Sequence, residues 1–383
     1  MKIKIIRATT VPLSLNSFCK GELRVLNQKY NVVALSSPGE ELEEVMIRES
    51  VRVVAIPMER RISLFKDVVA LCRMVKVMKR EKPYMVHSMT PKAGLLCMVA
   101  AWMTRVPVRV HTFTGLVFPT TSGMLRRILM LTDSITCYCA THVIPEGEGV
   151  KNDLRSNGIT KKPMRVLGYG NGRGIDLDYF SLREEVKSTM EELELRDGSK
   201  FTFLFVGRIV GDKGINELCH AFYRIHQECP YTRLRLVGDF EEVLDPLSED
   251  TKKLINEEKN SIITISWKSG DELLAYYAAA DCFVMPSYRE GFPNTVLEAG
   301  AMGLPSIVTD INGSREIIVE GENGMIVPPR NEDALYDAMK VMQQSNEDRE
   351  RMAGNARKMI ADRFEQRFVR KCLYDFYDEI LAV

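Results

Sequence analysis

The sequence contains no apolar run long enough to cross a membrane. The longest such run, from Ala93 to Met103, is well short of the roughly 18 residues that a spanning helix requires. The N-terminus, Met1 to Arg7, alternates charged and apolar residues and lacks the uninterrupted apolar core of a signal peptide. We therefore predict a chain without a transmembrane segment, whose first residues form a buried strand.

Cysteines at the spacing of a metal site or a redox motif are also missing. The chain has 9 cysteines, an odd number, and none of them forms a CxxC pair or accompanies histidines at zinc-ligand spacing. This pattern indicates a protein of the reducing cytoplasm without a structural metal.

The net charge of the chain is zero, but basic and acidic residues are unevenly distributed along it. Basic and acidic side chains each number 52 in 383 residues, a length that fits two domains. Residues 1–180 hold 27 basic and 15 acidic side chains, whereas the remainder holds 25 and 37. The basic first part predicts a polyanionic partner, either membrane lipid head groups or nucleic acid.

Short β-branched runs alternate with helical patterns, which indicates an α/β fold built from βα units. The strands predicted in the first part are Lys2–Arg7, Asn31–Leu35, Val51–Ile56, Met85–His87 and Val108–His111. Those predicted in the second part are Phe201–Val206, Leu234–Val237, Ile262–Ile265, Cys282–Met285 and Ser306–Thr309. Between them, Gly168–Gly174 has no G-x-G-x-x-G register that opens a helix, so we interpret it as a hinge. Asn346–Val383 is predicted to be helical nearly throughout.

Apolar residues recur at steps of three and four between Ser63 and Lys82, with basic residues on the other faces. The apolar stripe begins with Leu64, Val68 and Leu71. Two interpretations of this cationic amphipathic helix remain open. It packs on the sheet as a surface helix, or it contacts a membrane.

The segment Pro286–Ala301 follows a predicted strand and opens a helix. Pro293 suits the first helical position, so the amides after it should face outward at the positive end of the helix dipole and bind a phosphate. These amides belong to Asn294, Thr295 and Val296. Glu290 and Glu298 would border the same cleft, where carboxylates usually bind hydroxyl groups. The alternative is that either glutamate is an ordinary surface residue.

A second candidate site is the loop Gly207–Gly214, at the carboxyl end of a predicted strand, where open α/β sheets bind ligands. Arg208 and Lys213 would neutralise a diphosphate that gains charge as it leaves. The loop is not a Walker motif. An ordinary surface loop with two cations is the alternative.

Two histidines stand at the ends of predicted strands in the first part. His87 is followed by Thr90, a candidate helix cap, and by Pro91 at a first helical turn. His111 occupies the same position one βα unit later. For each histidine, a structural role is the alternative to a catalytic one.

Together these residues resemble the retaining nucleotide-sugar glycosyltransferases of family 4, which have the double-Rossmann GT-B architecture. The segment from Glu290 to Glu298 matches that family's E-x7-E signature, and Gly207–Gly214 resembles its diphosphate-binding loop. Gly170–Phe180 resembles its inter-domain turn, and His111 falls where the family carries its active-site histidine. The resemblance spans nearly the whole chain.

The resemblance implies two Rossmann-like domains, each with a parallel sheet flanked by helices. Residues 1–168 would form the acceptor-binding domain, joined by a C-terminal helix of about 365–383. Residues 169–364 would form the domain that binds the nucleotide sugar.

The resemblance also implies roles for the site residues. Glu290 would hold hydroxyl groups of the donor sugar, and His111 would line that sugar from the other domain. Arg208 and Lys213 would bind the diphosphate, and Glu298 the ribose hydroxyls. Retention would proceed by front-face attack with the departing phosphate taking the acceptor's proton, so no carboxylate nucleophile is required. Cations and helix amides would stabilise the leaving group in place of a divalent ion, so neither a metal nor another cofactor is expected.

The histidine segments are similar to a branch of the family that builds lipid-linked bacterial oligosaccharides, often from amino-sugar donors. We therefore predict a hexosyl- or N-acetylhexosaminyltransferase that acts in capsular or surface polysaccharide synthesis. Its substrates would be a nucleotide sugar, with UDP as the nucleotide, and a polyprenyl-diphosphate-linked saccharide. It would lie on the inner face of the cell membrane, held peripherally by its basic first domain, without a nucleic-acid partner.

One loop departs from the family pattern. Thr9–Phe18 lacks the glycine pair that many members have there, and Asn16 or Ser17 are its candidate contacts to the acceptor or a phosphate.

Two other functions remain as alternatives: a nucleotide-sugar epimerase on the same architecture, and a catalytically silent subunit that keeps only the fold.

Overall fold

The structure, a computed structural model, divides the chain into two compact units. Unit 1 comprises Met1–Arg173 and Phe368–Val383, and unit 2 comprises Gly174–Arg367. The limits of the units lie a few residues beyond the expected domain ends at 168 and 364. The residues described are 2–59, 63–196, 198–243 and 245–382.

Unit 1 is built on a parallel sheet of six strands in the order β3-β2-β1-β4-β5-β6. The strands are β1 (Lys4–Ala8), β2 (Asn31–Ser36), β3 (Arg52–Ala55), β4 (Met85–Met89), β5 (Val108–Phe113) and β6 (His142–Pro145). The helices are α1 (Pro12–Phe18), α2 (Glu22–Lys29), α3 (Glu40–Glu49), α4 (Leu64–Glu81), α5 (Pro91–Met103), α6 (Gly123–Cys139) and α7 (Glu148–Ser156). Ile6 of β1 pairs with Val33 and Val86 on its two neighbours. Strand β4 is buried throughout, because helices cover both faces of a parallel sheet.

Unit 2 repeats this plan, with the strand order β12-β11-β10-β7-β8-β9. Its strands are β7 (Phe201–Val206), β8 (Thr232–Val237), β9 (Ile262–Ile265), β10 (Cys282–Met285), β11 (Ser306–Thr309) and β12 (Gly324–Val327). Its helices are α8 (Glu184–Glu192), α9 (Ile215–Glu228), α10 (Glu249–Glu257), α11 (Gly270–Ala278), α12 (Asn294–Ala301), α13 (Ser314–Ile317), α14 (Glu332–Gln344) and α15 (Asn346–Phe364). Phe203, Phe222 and Phe283 lie in its core with no exposed surface.

The last helix, α16 (Gln366–Leu381), belongs to unit 1 from Phe368 onward. The Tyr377 hydroxyl accepts a hydrogen bond of 2.6 Å from buried Arg7, whose guanidinium also pairs with Glu22 at 3.0 Å. His87 lies 2.5 Å from the same hydroxyl, and burial together with the Arg7 charge lowers the pKa of His87 well below its usual value. His87 is therefore neutral and holds the C-terminal helix on the sheet, which is the structural alternative stated above.

The predicted architecture of two parallel sheets flanked by helices is confirmed. Two strands, β6 and β12, were not predicted. The C-terminal helical stretch is interrupted at Glu365, which bridges to Ile175. All nine cysteines are free thiols. Within the described ranges, no helix has the length and apolar character needed to span a bilayer.

Candidate functional site

In unit 2, strands β7 and β10 are neighbours, although the chain leaves them toward opposite edges of the sheet. Such a switch point opens a crevice at the carboxyl ends of the strands, where α/β sheets bind ligands. The loops that flank it are Gly207–Gly214 and Pro286–Pro293. They meet at Gly214, which has φ +70°, and a Cβ there would lie 2.1 Å from the Pro286 carbonyl oxygen. Only glycine allows this approach.

An ion pair joins these two loops. The Lys213 ammonium contacts the Glu290 carboxylate, and the same carboxylate accepts a hydrogen bond of 2.9 Å from the Ser287 hydroxyl. The two charged side chains are only 17% and 15% exposed, so water screens the pair weakly. Because an ammonium has three donors, Lys213 can bind an anion while it stays paired.

Further contacts fix the loops and were missed from the sequence. Arg289 pairs with Asp212 at 2.9 Å, and the Asp212 amide donates to Asp245 at 2.7 Å. The Tyr288 hydroxyl donates to both oxygens of Glu217, at 2.6 and 2.7 Å, and burial with this hydrogen bond raises the pKa of Tyr288. The sequence does show residues of opposite charge in these loops. Opposite charge alone does not identify which residues pair, so these contacts could not be predicted.

Helix α12 begins beside this pair. Pro293 is its N-cap residue, not its first helical residue as predicted. The Val296 amide donates to the Pro293 carbonyl at 3.2 Å, so it does not face outward as expected. Asn294 and Thr295 lie half-buried in the first turn, which contains no acidic side chain. The positive end of the helix dipole is therefore not offset by a carboxylate in that turn.

The other two predicted charges have separate partners. Glu298 in α12 is 8% exposed and accepts a hydrogen bond of 3.1 Å from the Tyr277 hydroxyl of α11. Arg208 is 56% exposed and pairs at 2.8 Å with Glu241, in the loop after β8. The structure thus brings Lys213 and Glu290 into contact, whereas Arg208 and Glu298 are each engaged elsewhere in unit 2.

In unit 1, His111 lies in the interior. Its side chain is 1% exposed, and its Nδ1 atom is 2.9 Å from the Ser88 hydroxyl. Its ring packs so closely on α5 that a Cβ at Gly94 would lie 2.3 Å from the ring carbon Cε1. Burial lowers the pKa of His111 to about 3, so the ring is neutral near pH 7.

The switch point of unit 1 lies between β1 and β4. Thr90 occupies the N-cap position of α5, as predicted, but its side chain makes no capping hydrogen bond. The Thr10 hydroxyl, from the loop after β1, accepts from the Ala93 amide at 3.1 Å, and Thr90 accepts from the Thr10 amide at 3.0 Å. Most of the expected first loop, Thr9–Phe18, is helix α1, and within it the side-chain amide of Asn16 donates to Glu44 at 2.9 Å.

The chain is similar to known glycosyltransferases. The family model of glycosyl transferases group 1 matches residues 186–359, and that of the glycosyl transferase 4-like domain matches residues 23–170. The capsular polysaccharide biosynthesis glycosyltransferase CapM of Staphylococcus aureus is 31% identical over 380 residues, which cover 99% of this chain and 97% of CapM. The UDP-Gal:alpha-D-GlcNAc-diphosphoundecaprenol alpha-1,3-galactosyltransferase of Escherichia coli is 27% identical over 345 residues, covering 88% and 87% of the two chains.

Among solved structures, Anabaena HepE in complex with UDP superimposes with a TM-score of 0.79 at 16% identity, covering 99% of this chain and 100% of HepE. At this level of identity, the likeness concerns the fold alone.

Proposed function

The chain belongs to the group 1 glycosyl transferases, and from this premise we propose that it transfers a sugar from UDP, with retention of configuration, to a polyprenyl-diphosphate-linked saccharide. The observation that carries the proposal is the contact of Lys213 with Glu290 at the switch point between β7 and β10. The names of the relatives support the setting, since one acts in capsular polysaccharide synthesis and another uses UDP-Gal and a diphosphoundecaprenol-linked acceptor.

The donor's diphosphate would bind at the edge where α12 begins. Lys213 supplies a positive charge there, and the first turn of α12 adds the positive end of its dipole through Asn294 and Thr295. Exposed Arg208 would exchange its surface pair with Glu241 for the diphosphate, since an exposed pair contributes only about 0–1 kcal/mol. Tyr277 would hold the Glu298 carboxylate where it accepts hydrogen bonds from the ribose hydroxyls.

In the transfer step, the bond between the anomeric carbon and the diphosphate oxygen breaks. The bond between that carbon and the acceptor's hydroxyl oxygen forms on the same face of the sugar. The acceptor's proton passes to the departing phosphate oxygen, and Glu290 holds hydroxyl groups of the transferred sugar. His111 is buried and neutral, because burial lowers its pKa to about 3, so it would supply no proton to the transfer. Lys213 and Arg208 would neutralise the leaving group, so the proposal includes no metal or other cofactor.

The acceptor's lipid places the reaction at a membrane. Residues 1–180 hold 27 basic and 15 acidic side chains. Anionic lipid head groups attract a protein surface with an excess of basic side chains. We propose that unit 1 docks on the inner face of the cell membrane and that nucleic acid is not a partner.

The test is an assay of the purified chain with UDP-sugars and a synthetic polyprenyl-diphosphate saccharide, with the anomeric configuration of the product read by NMR. We expect transfer with retention. Glu290→Ala should lower turnover at least about a hundredfold, as removal of one preorganised polar contact does in other active sites. The matched control is Glu332→Ala, which removes a glutamate that pairs with Arg224 at 3.3 Å in unit 2, and it should leave turnover unchanged.

The same assay separates the alternatives. Inversion of configuration would refute the proposed mechanism, and transfer to free sugars alone would refute the lipid-linked acceptor. Conversion of the donor without any acceptor would identify an epimerase. Unchanged turnover in Glu290→Ala would refute the assigned site.

A further inference from the structure

The first turns of α4 expose apolar side chains, while the rest of the helix buries them. Leu64, Phe65 and Val68 are 80%, 82% and 59% exposed, whereas Met74 and Met78 are buried against the sheet. Only the later part of the apolar stripe predicted from the sequence is therefore buried in the core. Large apolar side chains grouped on a surface usually mark a place where something binds.

A trough between α4, α5 and α6 lies at these side chains. It encloses about 610 Å³, within the range of sites that hold small molecules. The apolar residues that line it come from all three helices: Leu64, Val68 and Leu71 of α4, Leu95 and Leu96 of α5, and Ile128 and Leu129 of α6. Exposed Met124, Leu125 and Leu131 extend the apolar surface along α6.

One part of the trough is polar and lies at the carboxyl edge of the sheet. Thr10 follows β1, and Thr90 and Lys92 stand where α5 begins after β4. The Lys92 ammonium pairs with Asp67 of α4 at 2.7 Å. Strands β1 and β4 form the switch point of unit 1, so this polar part stands where α/β sheets bind ligands. The apolar lining on α5 begins one turn further along the helix.

From this arrangement we propose that the trough binds the first isoprene units of the acceptor's polyprenyl chain, with the acceptor's diphosphate at the polar part. The inference rests on the proposed function, which supplies a lipid-linked acceptor. The trough is recessed between three helices, so its shape fits a single linear chain. A bilayer surface would contact only protruding side chains such as Phe65. Lys92 supplies a positive charge at the polar part, which complements a diphosphate.

The test measures binding and not turnover. Farnesyl diphosphate and inorganic diphosphate are titrated calorimetrically into the full chain, with excess UDP present to occupy the donor site. We expect farnesyl diphosphate to bind at least about tenfold more tightly, because burial of its apolar chain adds to the affinity of its diphosphate. The double variant Val68→Asn/Ile128→Asn should remove this gain and leave the affinities for inorganic diphosphate and UDP unchanged.

Both replaced residues are exposed, at 59% and 40%, so the double variant should fold. The matched control is Ile47→Asn, which replaces a 75% exposed residue of α3 outside the trough and should bind every ligand normally.

Equal farnesyl diphosphate affinity in the double variant and the wild type would overturn the proposal. So would a double variant that loses only its binding to phosphatidylglycerol vesicles, because the surface would then be a bilayer contact. If the expected binding is seen but no sugar is transferred, the proposed function fails and the trough assignment holds.

Discussion

Replacement of Gly214 by alanine tests whether the close approach of the two loops in unit 2 builds the donor site. Gly214 has φ +70°, and a Cβ there would lie 2.1 Å from the Pro286 carbonyl oxygen. Lys213 and Glu290 stand on the two loops that meet at this contact. Separation of the loops should therefore destabilise unit 2 and weaken donor binding together.

The magnitude has two parts. A left-handed conformation costs a residue with a side chain about 1 kcal/mol relative to glycine. Ordinary contact begins at 3.4 Å, so the new methyl group and the Pro286 oxygen must also separate by about 1.3 Å. Overpacking of this kind costs a further 1–3 kcal/mol, roughly. A displacement of about 1 Å at a binding site can weaken its function about a hundredfold.

Gly321 offers a matched control, because it has φ +73° and open space where a Cβ would stand. Urea unfolding should show a loss of about 1 kcal/mol for Gly321→Ala and at least about 2 kcal/mol for Gly214→Ala. In calorimetric titrations, UDP affinity should stay unchanged in the control and fall about a hundredfold in Gly214→Ala.

Equal destabilisation of the two variants, with UDP affinity unchanged in both, would refute this reasoning. It would mean that the loops separate without cost and that their contact does not position Lys213.

Three further predictions concern single side chains. Lys213→Met should weaken UDP binding about ten- to a hundredfold, as expected for the loss of a charge-assisted hydrogen bond, whereas Lys340→Met, at another ion pair of unit 2, should leave the affinity unchanged in the same titration. Tyr277→Phe should lower the free energy of unfolding by about 1 kcal/mol, measured in urea, because a buried carboxylate loses a donor; an unchanged value would argue against that contact. The Arg52 guanidinium lowers the pKa of Glu81 to about 2, so the stability that Glu81 contributes is complete above pH 4.5 and is lost as the pH falls toward 2. Because Arg52 is 53% exposed, Glu81→Gln should cost only about 1–2 kcal/mol at pH 7, and a difference from wild type that persists at pH 2 would contradict this assignment.

The architecture could be predicted because its causes are local. Apolar runs such as Phe201–Val206 and Cys282–Met285 have the length and composition of buried parallel strands, and the helical patterns between them leave few other folds. The segment from Glu290 to Glu298 was assigned to a strand-to-helix junction for the same reason. The exact helix boundary was predicted wrongly, because Pro293 is the N-cap residue of α12 and not its first helical residue.

The sequence by itself thus determined the two parallel sheets, the loops at their carboxyl ends and the charged residues on those loops. Only the tertiary structure decided which of these residues meet. Lys213 and Glu290 meet although they lie 77 positions apart. Arg208 stands in the same loop as Lys213 but pairs with a different residue, Glu241. The physical reason is that periodicity reports which face a residue occupies, whereas contact depends on how closely two loops approach. At Gly214 that approach is set by a missing Cβ against the Pro286 carbonyl group, in the loop after β10.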